Sequence, residues 1–230
     1  MSCPALAGLD FMPYALELCY ITDRRALEPK PLLPRIEEAI RLGVDLVQIR
    51  EKDLPTRELL ELVGAAADAA RARATRLVVN DRLDVALAAG AAGVHLGTQS
   101  LPARVVRALA PRDFLVGVSC HSLEEMLSAQ VAGADYVVLG PIFATPSKVP
   151  YGPPLGLAQL REVAARAKVP VLALGGITVD RVRLCLEAGA AGIAGISIFQ
   201  NCASLEEQVQ QLRAQFKRPA PPQGAQRQKS

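Results

Sequence analysis

The 230-residue sequence has no tryptophan, and aromatic residues make up only 4% of it. It has no apolar run that approaches the roughly 18 residues needed to cross a bilayer. Its first 13 residues lack a basic start and carry Asp10, so we expect no signal peptide. It also lacks a basic face interleaved with aromatics, which argues against a nucleic-acid-binding surface. We therefore expect a cytoplasmic protein that binds neither membranes nor nucleic acids.

Paired cysteines are also missing. Five cysteines occur, at positions 3, 19, 120, 185 and 202, and none forms a C-x-x-C pair or has a histidine at metal-ligand spacing. An odd number without pairing is typical of reduced thiols in a cytoplasmic protein.

The net charge of +3 comes from the end of the chain. Residues 217–230 contain four basic residues and no acidic ones, which leaves a net charge of −1 for residues 1–216. The last 13 residues are rich in Pro, Gln, Ser and Gly, and we predict a disordered basic tail at 218–230.

A short pattern recurs four times along the chain. Gly43, Gly90, Gly133 and Gly189 are each followed by a small residue and then by an apolar run. Glycine suits the left-handed position that ends a helix, so each pattern predicts a helix end followed by a strand. The repeats are about two β/α units apart.

Filling in the units between these repeats predicts eight strands and eight helices. The strands are predicted near 16–22, 44–50, 76–80, 92–97, 114–119, 135–140, 170–174 and 192–197. The helices are predicted near 33–42, 56–73, 82–89, 102–110, 122–132, 156–168, 179–188 and 204–216, with capping boxes at Ser122 and Ser204.

Strict alternation of eight strands with eight helices predicts a parallel (β/α)8 TIM barrel. No G-x-G-x-x-G follows a predicted strand, which disfavours a dinucleotide-binding fold. We therefore divide the chain into an N-terminal extension at 1–13, a catalytic barrel domain at 14–217 and the tail.

Chemistry in such barrels lies at the carboxyl ends of the strands. The polar and glycine residues there are Gln48, Arg50 and Lys52 after the second strand, Asn80 and Asp81 after the third, Gly97, Gln99 and Ser100 after the fourth, Ser119 and His121 after the fifth, Thr145, Ser147 and Lys148 after the sixth, Gly175, Gly176 and Thr178 after the seventh, and Gly195, Ile196 and Ser197 after the eighth.

The sixth and seventh of these ends suit phosphate. Thr145, Ser147 and Lys148 offer two hydroxyls and an ammonium, which are donors for phosphate oxygens. Gly175 and Gly176 precede a helix, where backbone N–H groups can approach an anion. The alternatives are a solvated loop at Lys148 and a plain tight turn at Gly175.

The cations Arg50, Lys52 and Lys148 exceed what one monophosphate needs, so we expect a diphosphate as well. A diphosphate normally binds with Mg²⁺, for which Asp81 is the candidate ligand. From sequence alone, Asp81 is equally well interpreted as the N-cap of the following helix.

Taken together, these motifs resemble thiamine-phosphate synthase and its relatives, the thiazole tautomerases, from about residue 16 to residue 200. The motifs that carry the resemblance are Val47-Gln-Ile-Arg-Glu-Lys52, Val79-Asn-Asp-Arg82, Gly93-Val-His-Leu-Gly97, Gly117-Val-Ser119, Gly133-Ala-Asp-Tyr136, Gly140-Pro-Ile-Phe-x-Thr145-x-Ser-Lys148, Gly175-Gly-Ile-Thr178 and Gly195-Ile-Ser197.

The resemblance implies a transferase that joins 4-amino-2-methyl-5-pyrimidinylmethyl diphosphate to 4-methyl-5-(2-phosphoethyl)thiazole, or to its carboxylated form, and releases pyrophosphate. By resemblance, Gln48, Arg50, Lys52, Asn80 and Ser119 hold the pyrimidine diphosphate and Asp81 holds Mg²⁺. Lys148 neutralises the leaving group, and Arg50 and Ser119 assist it. The thiazole phosphate is seated by Thr145, Ser147, Gly175, Gly176, Ile196 and Ser197.

One position departs from the synthase pattern. Synthases usually carry a second metal-binding aspartate where this chain has Ser100, which we expect to be the N-cap of the following helix. The departure keeps a thiazole tautomerase open, with His121 as its proton shuttle. A non-catalytic binder of thiamine precursors is a further alternative, and the chain could also form a homo-oligomer.

Overall fold

The computed structural model describes residues 16–145 and 153–217, in which strands alternate with helices. The strands are β1 Leu18–Ile21, β2 Leu46–Ile49, β3 Arg76–Asn80, β4 Gly93–Leu96, β5 Leu115–Cys120, β6 Tyr136–Leu139, β7 Val171–Leu174 and β8 Gly192–Gly195. The α-helices are α1 Leu32–Arg41, α2 Thr56–Ala70, α3 Leu83–Ala88, α4 Ala103–Leu109, α5 Leu123–Val131, α6 Gly156–Arg166, α7 Val179–Glu187, α8 Ser197–Gln200 and α9 Leu205–Phe216.

The eight strands close into a barrel in chain order, and β8 pairs with β1 in parallel. The predicted (β/α)8 barrel is confirmed. Because every strand runs the same way, their carboxyl ends form one rim, which we call the mouth, and their amino ends form the floor. The mouth consists of Ile21, Ile49, Asn80, Leu96, Cys120, Leu139, Leu174 and Gly195 with the loops that follow them.

Apolar side chains pack on both faces of the barrel strands. A compact apolar cluster fills the interior and includes Leu46, Leu115, Tyr136 and Leu172. A larger apolar layer packs between the outer face of the strands and the helices. Since the interior is filled rather than open, a substrate cannot enter the barrel and would bind at one of its ends.

Two arginine–aspartate pairs hold the floor together. Asp45, just before β2, accepts hydrogen bonds from the backbone N–H groups of Glu17 and Leu18 at 3.0 and 2.8 Å. Arg213 of α9 donates to the same carboxylate at 2.8 Å. The last helix is thereby fastened to the first two strands.

The second pair repeats this arrangement on the opposite side of the barrel. Asp135, just before β6, accepts from the backbone N–H of Val116 at 2.7 Å and pairs with Arg107 of α4. Arg107 also donates to the carbonyl oxygens of Phe114 and Gly133 at 2.5 and 2.7 Å. One guanidinium therefore joins two loops and a strand.

Both predicted capping boxes mark helix starts, and in each the serine hydroxyl makes the capping hydrogen bond. The Ser122 hydroxyl accepts from the Glu125 N–H at 3.1 Å, and the Ser204 hydroxyl accepts from the Glu207 N–H at 3.2 Å. The Glu125 carboxylate bonds to the backbone N–H of His121, one residue before the cap.

The sequence did not predict α8. The eighth strand was expected to continue to residue 197, but it stops at Gly195 and the chain turns at once into a helix of four residues. A side chain at position 195 would meet Ile198 Cγ2 at 2.5 Å, so the tight turn requires glycine there.

Several predictions concern residues outside the described ranges. The extension at 1–13, the tail at 218–230, Ser147 and Lys148 all lie there. Within the described ranges, Cys19, Cys120, Cys185 and Cys202 are free thiols. No helix in those ranges is long and apolar enough to span a membrane.

Candidate active site

Two amides meet in the mouth of the barrel. Gln48 on β2 is 2% exposed, and its Nε2 donates to Oδ1 of Asn80 on β3 at 3.2 Å. The remaining oxygen of Gln48, Oε1, is buried and has no partner among the described residues. A buried acceptor without a donor costs about 1–3 kcal/mol, so a bound molecule with an N–H group would relieve it.

Two cations follow Gln48 on the loop after β2. Arg50 lies two residues beyond Gln48, so its side chain leaves the strand on the same inner side. It is half-buried and close enough to His95 to lower the pKa of that imidazole. Lys52 is exposed. Within the described ranges no carboxylate pairs with either cation, so both remain available to an anion.

Asp81 directly follows β3 in an unusual backbone conformation. Its φ of 66° lies in the left-handed region, and its N–H donates to the carbonyl oxygen of His95 at 2.8 Å. α3 starts at Leu83 with Arg82 before it and no side-chain cap, so the N-cap interpretation of Asp81 is wrong. A non-glycine residue held in this region costs about 1–3 kcal/mol, and such conformations cluster at functional sites.

The predicted cap role of Ser100 is also wrong. Its hydroxyl accepts from the Gly97 N–H at 2.8 Å, and its N–H donates to the Gly97 carbonyl at 3.2 Å. α4 begins at Ala103 after Pro102, without a side-chain cap. The hydroxyl is used to close the turn after β4 and lies too far from the helix start.

Below Ser119, a buried imidazole connects three strands. His95 of β4 contacts Ser119 Oγ through Nε2 at 2.9 Å and Tyr136 Oη through Nδ1 at 3.1 Å. His95 and Tyr136 were not among the site residues predicted from the sequence. A signal was present, because His95 lies two residues beyond Gly93 and so points into the barrel.

Burial fixes the direction of these hydrogen bonds. Burial, with a smaller effect of Arg50, lowers the pKa of His95 to about 3, and burial raises the pKa of Tyr136 well above its ordinary value. The hydroxyl of neutral Tyr136 therefore donates its hydrogen bond to Nδ1 of His95. Nε2–H then donates to Ser119 Oγ, which leaves the Ser119 proton free for a group in the mouth.

This arrangement predicts a pH effect on stability. The folded pKa of His95 lies below its ordinary value of 6.5, so on acidification the unfolded chain binds a proton that the folded chain excludes. The free energy of unfolding should fall by about 1.4 kcal/mol per pH unit below 6.5 from this group. Urea unfolding of wild type and His95→Gln at pH 7 and pH 5 measures it. Equal losses in the two proteins would contradict the prediction.

His121 joins the ends of two strands. Its Nδ1–H donates to the carbonyl oxygen of Gly140, just after β6, at 2.5 Å, and its backbone N–H donates to the Glu125 carboxylate at 2.6 Å. Nε2 is left as the second ring nitrogen of an exposed side chain. These bonds hold the imidazole in one orientation and leave a nitrogen for the predicted proton transfer.

The loops after β6 and β7 lie directly against each other. Gly175 and Gly176 have φ of 99° and 62°, and added Cβ atoms would lie 2.6 Å from Pro141 Cβ and from the Ala144 oxygen, respectively. The Phe143 N–H donates to the Gly175 carbonyl at 3.0 Å. Only glycine allows this approach, which holds the start of the sixth loop against the seventh.

The remaining predicted phosphate ligands belong to the loop after β6 and to the turn after β8. Thr145 ends the described part of the sixth loop, and Ser147 and Lys148 come after it, outside the described residues. Ile196 and Ser197 begin α8, whose first N–H groups lack partners within so short a helix. These N–H groups can donate hydrogen bonds to an anion.

The sequence matches the model of one protein family, described as thiamine monophosphate synthase, over residues 18–199. A Geobacter sulfurreducens protein that is provisionally named thiamine-phosphate synthase is 46% identical over 192 residues. The match covers 84% of this chain and 88% of that protein. The thiamine-phosphate synthase of Roseiflexus castenholzii is 44% identical over 177 residues, covering 77% and 78%.

Solved structures agree with these matches. Thiamine phosphate pyrophosphorylase from Pyrococcus furiosus superposes with a TM-score of 0.79 at 38% identity and covers 87% of this chain and 95% of that one. A 3-hexulose-6-phosphate synthase superposes with a TM-score of 0.62 at 19% identity, which shows a common fold alone.

Proposed function

The chain belongs to the thiamine monophosphate synthase family, and on that premise we propose that it is a thiamine-phosphate synthase. It transfers a pyrimidinylmethyl group from its diphosphate to the ring nitrogen of a thiazole phosphate, or of the carboxylated form, and releases pyrophosphate. The observation that carries this proposal is that Arg50 and Lys52, which follow β2, have no carboxylate partner among the described residues, and that Oε1 of Gln48 on the same strand is buried there without a hydrogen-bond partner.

The amide pair supports binding of an aminopyrimidine. Gln48 Oε1 is a buried acceptor suited to an exocyclic amino group, and Asn80 keeps its own NH₂ as a donor for a ring nitrogen. Both side chains lie at the rim of the interior cluster, so the ring would rest on apolar residues while its diphosphate extends toward Arg50 and Lys52.

The cations act on the leaving group. The bond between the methylene carbon and the diphosphate oxygen breaks with its electron pair remaining on the diphosphate. The thiazole nitrogen then gives its lone pair to the methylene carbon. Negative charge grows on the diphosphate in the first step, and fixed cations aimed at it lower the barrier. Arg50, Lys52 and Lys148 have this role, and the free proton of Ser119 supplies a further donor.

The thiazole phosphate is assigned to the other side of the mouth. Thr145, Ser147, Gly175, Gly176, Ile196 and Ser197 line the loops after β6, β7 and β8. The close contact between the sixth and seventh loops supports this assignment, because it fixes backbone N–H groups before the substrate arrives.

Mg²⁺ fits the residues that are present. Among the described residues no cluster of three or more acidic, histidine or cysteine side chains could hold a metal, and Asp81 is the carboxylate that we assign to it. Mg²⁺ is commonly held by one or two carboxylates together with substrate phosphates and water. When bound, it would neutralise charge on the diphosphate.

A thiazole tautomerase is the second candidate, because Ser100 occupies the place of the second carboxylate and His121 keeps a free ring nitrogen. The decisive experiment incubates purified protein with each substrate alone and with both, in the presence of Mg²⁺. Pyrophosphate release that requires both substrates supports the synthase. Isomerisation of the thiazole without any pyrimidine would replace it with the tautomerase, and binding without turnover would indicate a carrier.

The serine predicts how the metal requirement responds to substitution. Ser100→Asp should lower the Mg²⁺ concentration for half-maximal rate, because a second carboxylate joins Asp81. Asp81→Ala should remove most of the rate. Ser100→Thr keeps the hydroxyl that accepts from Gly97 and serves as the control for the turn. An unchanged Mg²⁺ requirement in folded Ser100→Asp would contradict the one-carboxylate site.

A further inference from the structure

A buried carboxylate lies between the two cations in sequence and contacts a different loop. Glu51, between Arg50 and Lys52, is 5% exposed. Its side chain contacts the segment at residues 22–26, which we call the β1 loop. Neither Glu51 nor any residue of this loop belongs to the substrate site described above.

The carboxylate collects hydrogen-bond donors from the β1 loop. Thr22, which is fully buried, donates its hydroxyl to Glu51 Oε1 at 2.6 Å. The backbone N–H of Arg24 lies 3.2 and 3.1 Å from the two carboxylate oxygens. Both partners bring hydrogens, so a group with acceptors only is required at this position.

Thr22 also reaches the backbone of the cation-bearing loop. Its Oγ1 accepts the backbone N–H of Arg50 at 2.9 Å. This leaves the threonine proton with Glu51 as its acceptor. One hydroxyl therefore links the peptide of Arg50 to the carboxylate one residue later, and the loop after β2 is held at two consecutive residues.

A second contact fastens the same two loops at the surface. Asp53 pairs with the guanidinium groups of Arg24 and Arg25 at 2.5 and 2.7 Å. Exposed pairs of this kind contribute little to stability by themselves. They do occupy Asp53, the acid that directly follows Lys52, so this carboxylate is not available to pair with the substrate-side cations.

We propose that Glu51 and Thr22 are positioning residues that hold Arg50 and Lys52 in place for the diphosphate. They touch no substrate and act through the backbone on which both cations are carried. The contribution is preorganisation: without these bonds the loop after β2 samples other positions, and anion binding pays the cost of ordering it. The proposal rests on the assignment of this loop to the diphosphate.

The test uses pairs of variants that differ by one group. Thr22→Val removes the hydroxyl at nearly constant size, whereas Thr22→Ser keeps it. Thr75→Val makes the same change at another buried threonine, just before β3 at the floor, where the hydroxyl contacts the Ile40 carbonyl. Glu51→Gln replaces an acceptor facing the Arg24 N–H with a donor.

Binding of inorganic pyrophosphate with Mg²⁺ by calorimetry gives a readout that needs no turnover. We expect Thr22→Val and Glu51→Gln each to weaken it about 10-fold, the scale of one unsatisfied buried group. Steady-state assays should show a similar rise in KM for the pyrimidine diphosphate and an unchanged KM for the thiazole phosphate. Thr22→Ser and Thr75→Val should bind pyrophosphate like wild type.

Several outcomes would overturn the proposal. One is wild-type pyrophosphate affinity in folded Thr22→Val. Another is an equal rise of both KM values, which would indicate general damage to the barrel. If Thr22→Val does not fold, Glu51→Gln decides by the same criteria. A wild-type protein that binds pyrophosphate but joins no substrates would refute the synthase and leave the positioning role standing.

Discussion

Replacing Arg50 with alanine is expected to lower kcat/KM by about 10²- to 10³-fold, the effect of removing one donor that stabilises charge in a transition state. The guanidinium has no carboxylate partner in the described ranges, so its charge is available to the leaving diphosphate. For the same reason its removal should hardly change the melting temperature. Coupled detection of released pyrophosphate measures the rate, and thermal unfolding measures the stability.

Two further variants make this result specific. Arg50→Lys keeps a charge but loses the planar pair of donors, so it should recover only part of the lost rate. Arg71→Gln removes an exposed arginine at the end of α2, where it pairs with Asp68, and should leave kcat/KM unchanged. Full activity of Arg50→Ala would remove this residue from the mechanism.

The largest effect on stability is expected at Gly117. This glycine of β5 lies under the Tyr136 and His95 rings, and an added Cβ would lie 2.1 Å from Tyr136 Cζ and 2.6 Å from His95 Nδ1. Both rings are buried and hydrogen-bonded to each other, so neither can yield cheaply. Gly117→Ala should lower the free energy of unfolding by about 3 kcal/mol.

Gly64 provides the matched control. It lies within α2, and no atom is within 4 Å of an added Cβ. Gly64→Ala should therefore stabilise the protein by up to about 1 kcal/mol through helix propensity. Urea titrations of both variants give the two free energies of unfolding. A folded Gly117→Ala with wild-type stability would contradict the close packing of the three residues.

The sequence predicted the barrel well because its signals are local and repeated. Glycines at helix ends followed by apolar runs predicted four of the strands, and filling in the units between them predicted the other four. The order of strands then brought Gln48, Asn80 and Ser119 to one rim. The backbone geometry of the rim was harder to predict. Ser100 was expected to cap a helix, and a cap was one of the two interpretations of Asp81, because Asp and Ser favour caps. In the structure each residue belongs to a turn that ends before its helix.

Contacts between distant segments could not be predicted from residue types alone. His95 and Tyr136 are 41 positions apart, and Thr22 and Glu51 are 29 apart. Each of these residues is polar and lies in or beside an apolar strand. This predicts a buried hydrogen-bond partner, but not which residue that partner is. The partner depends on strand register, and register is fixed only when the barrel closes.

The floor of the barrel has a consequence for how its halves depend on each other. Asp45 lies in the first half of the chain, and its arginine, Arg213, lies in the second. Asp135 lies in the second half, and Arg107 lies in the first. Each half thus supplies the cation that neutralises the other's carboxylate, at the two seams where the halves join. If the chain were cut between α4 and β5, each fragment would carry one aspartate and one arginine without their counterions. Neither fragment alone could therefore neutralise the charges at its end of the floor.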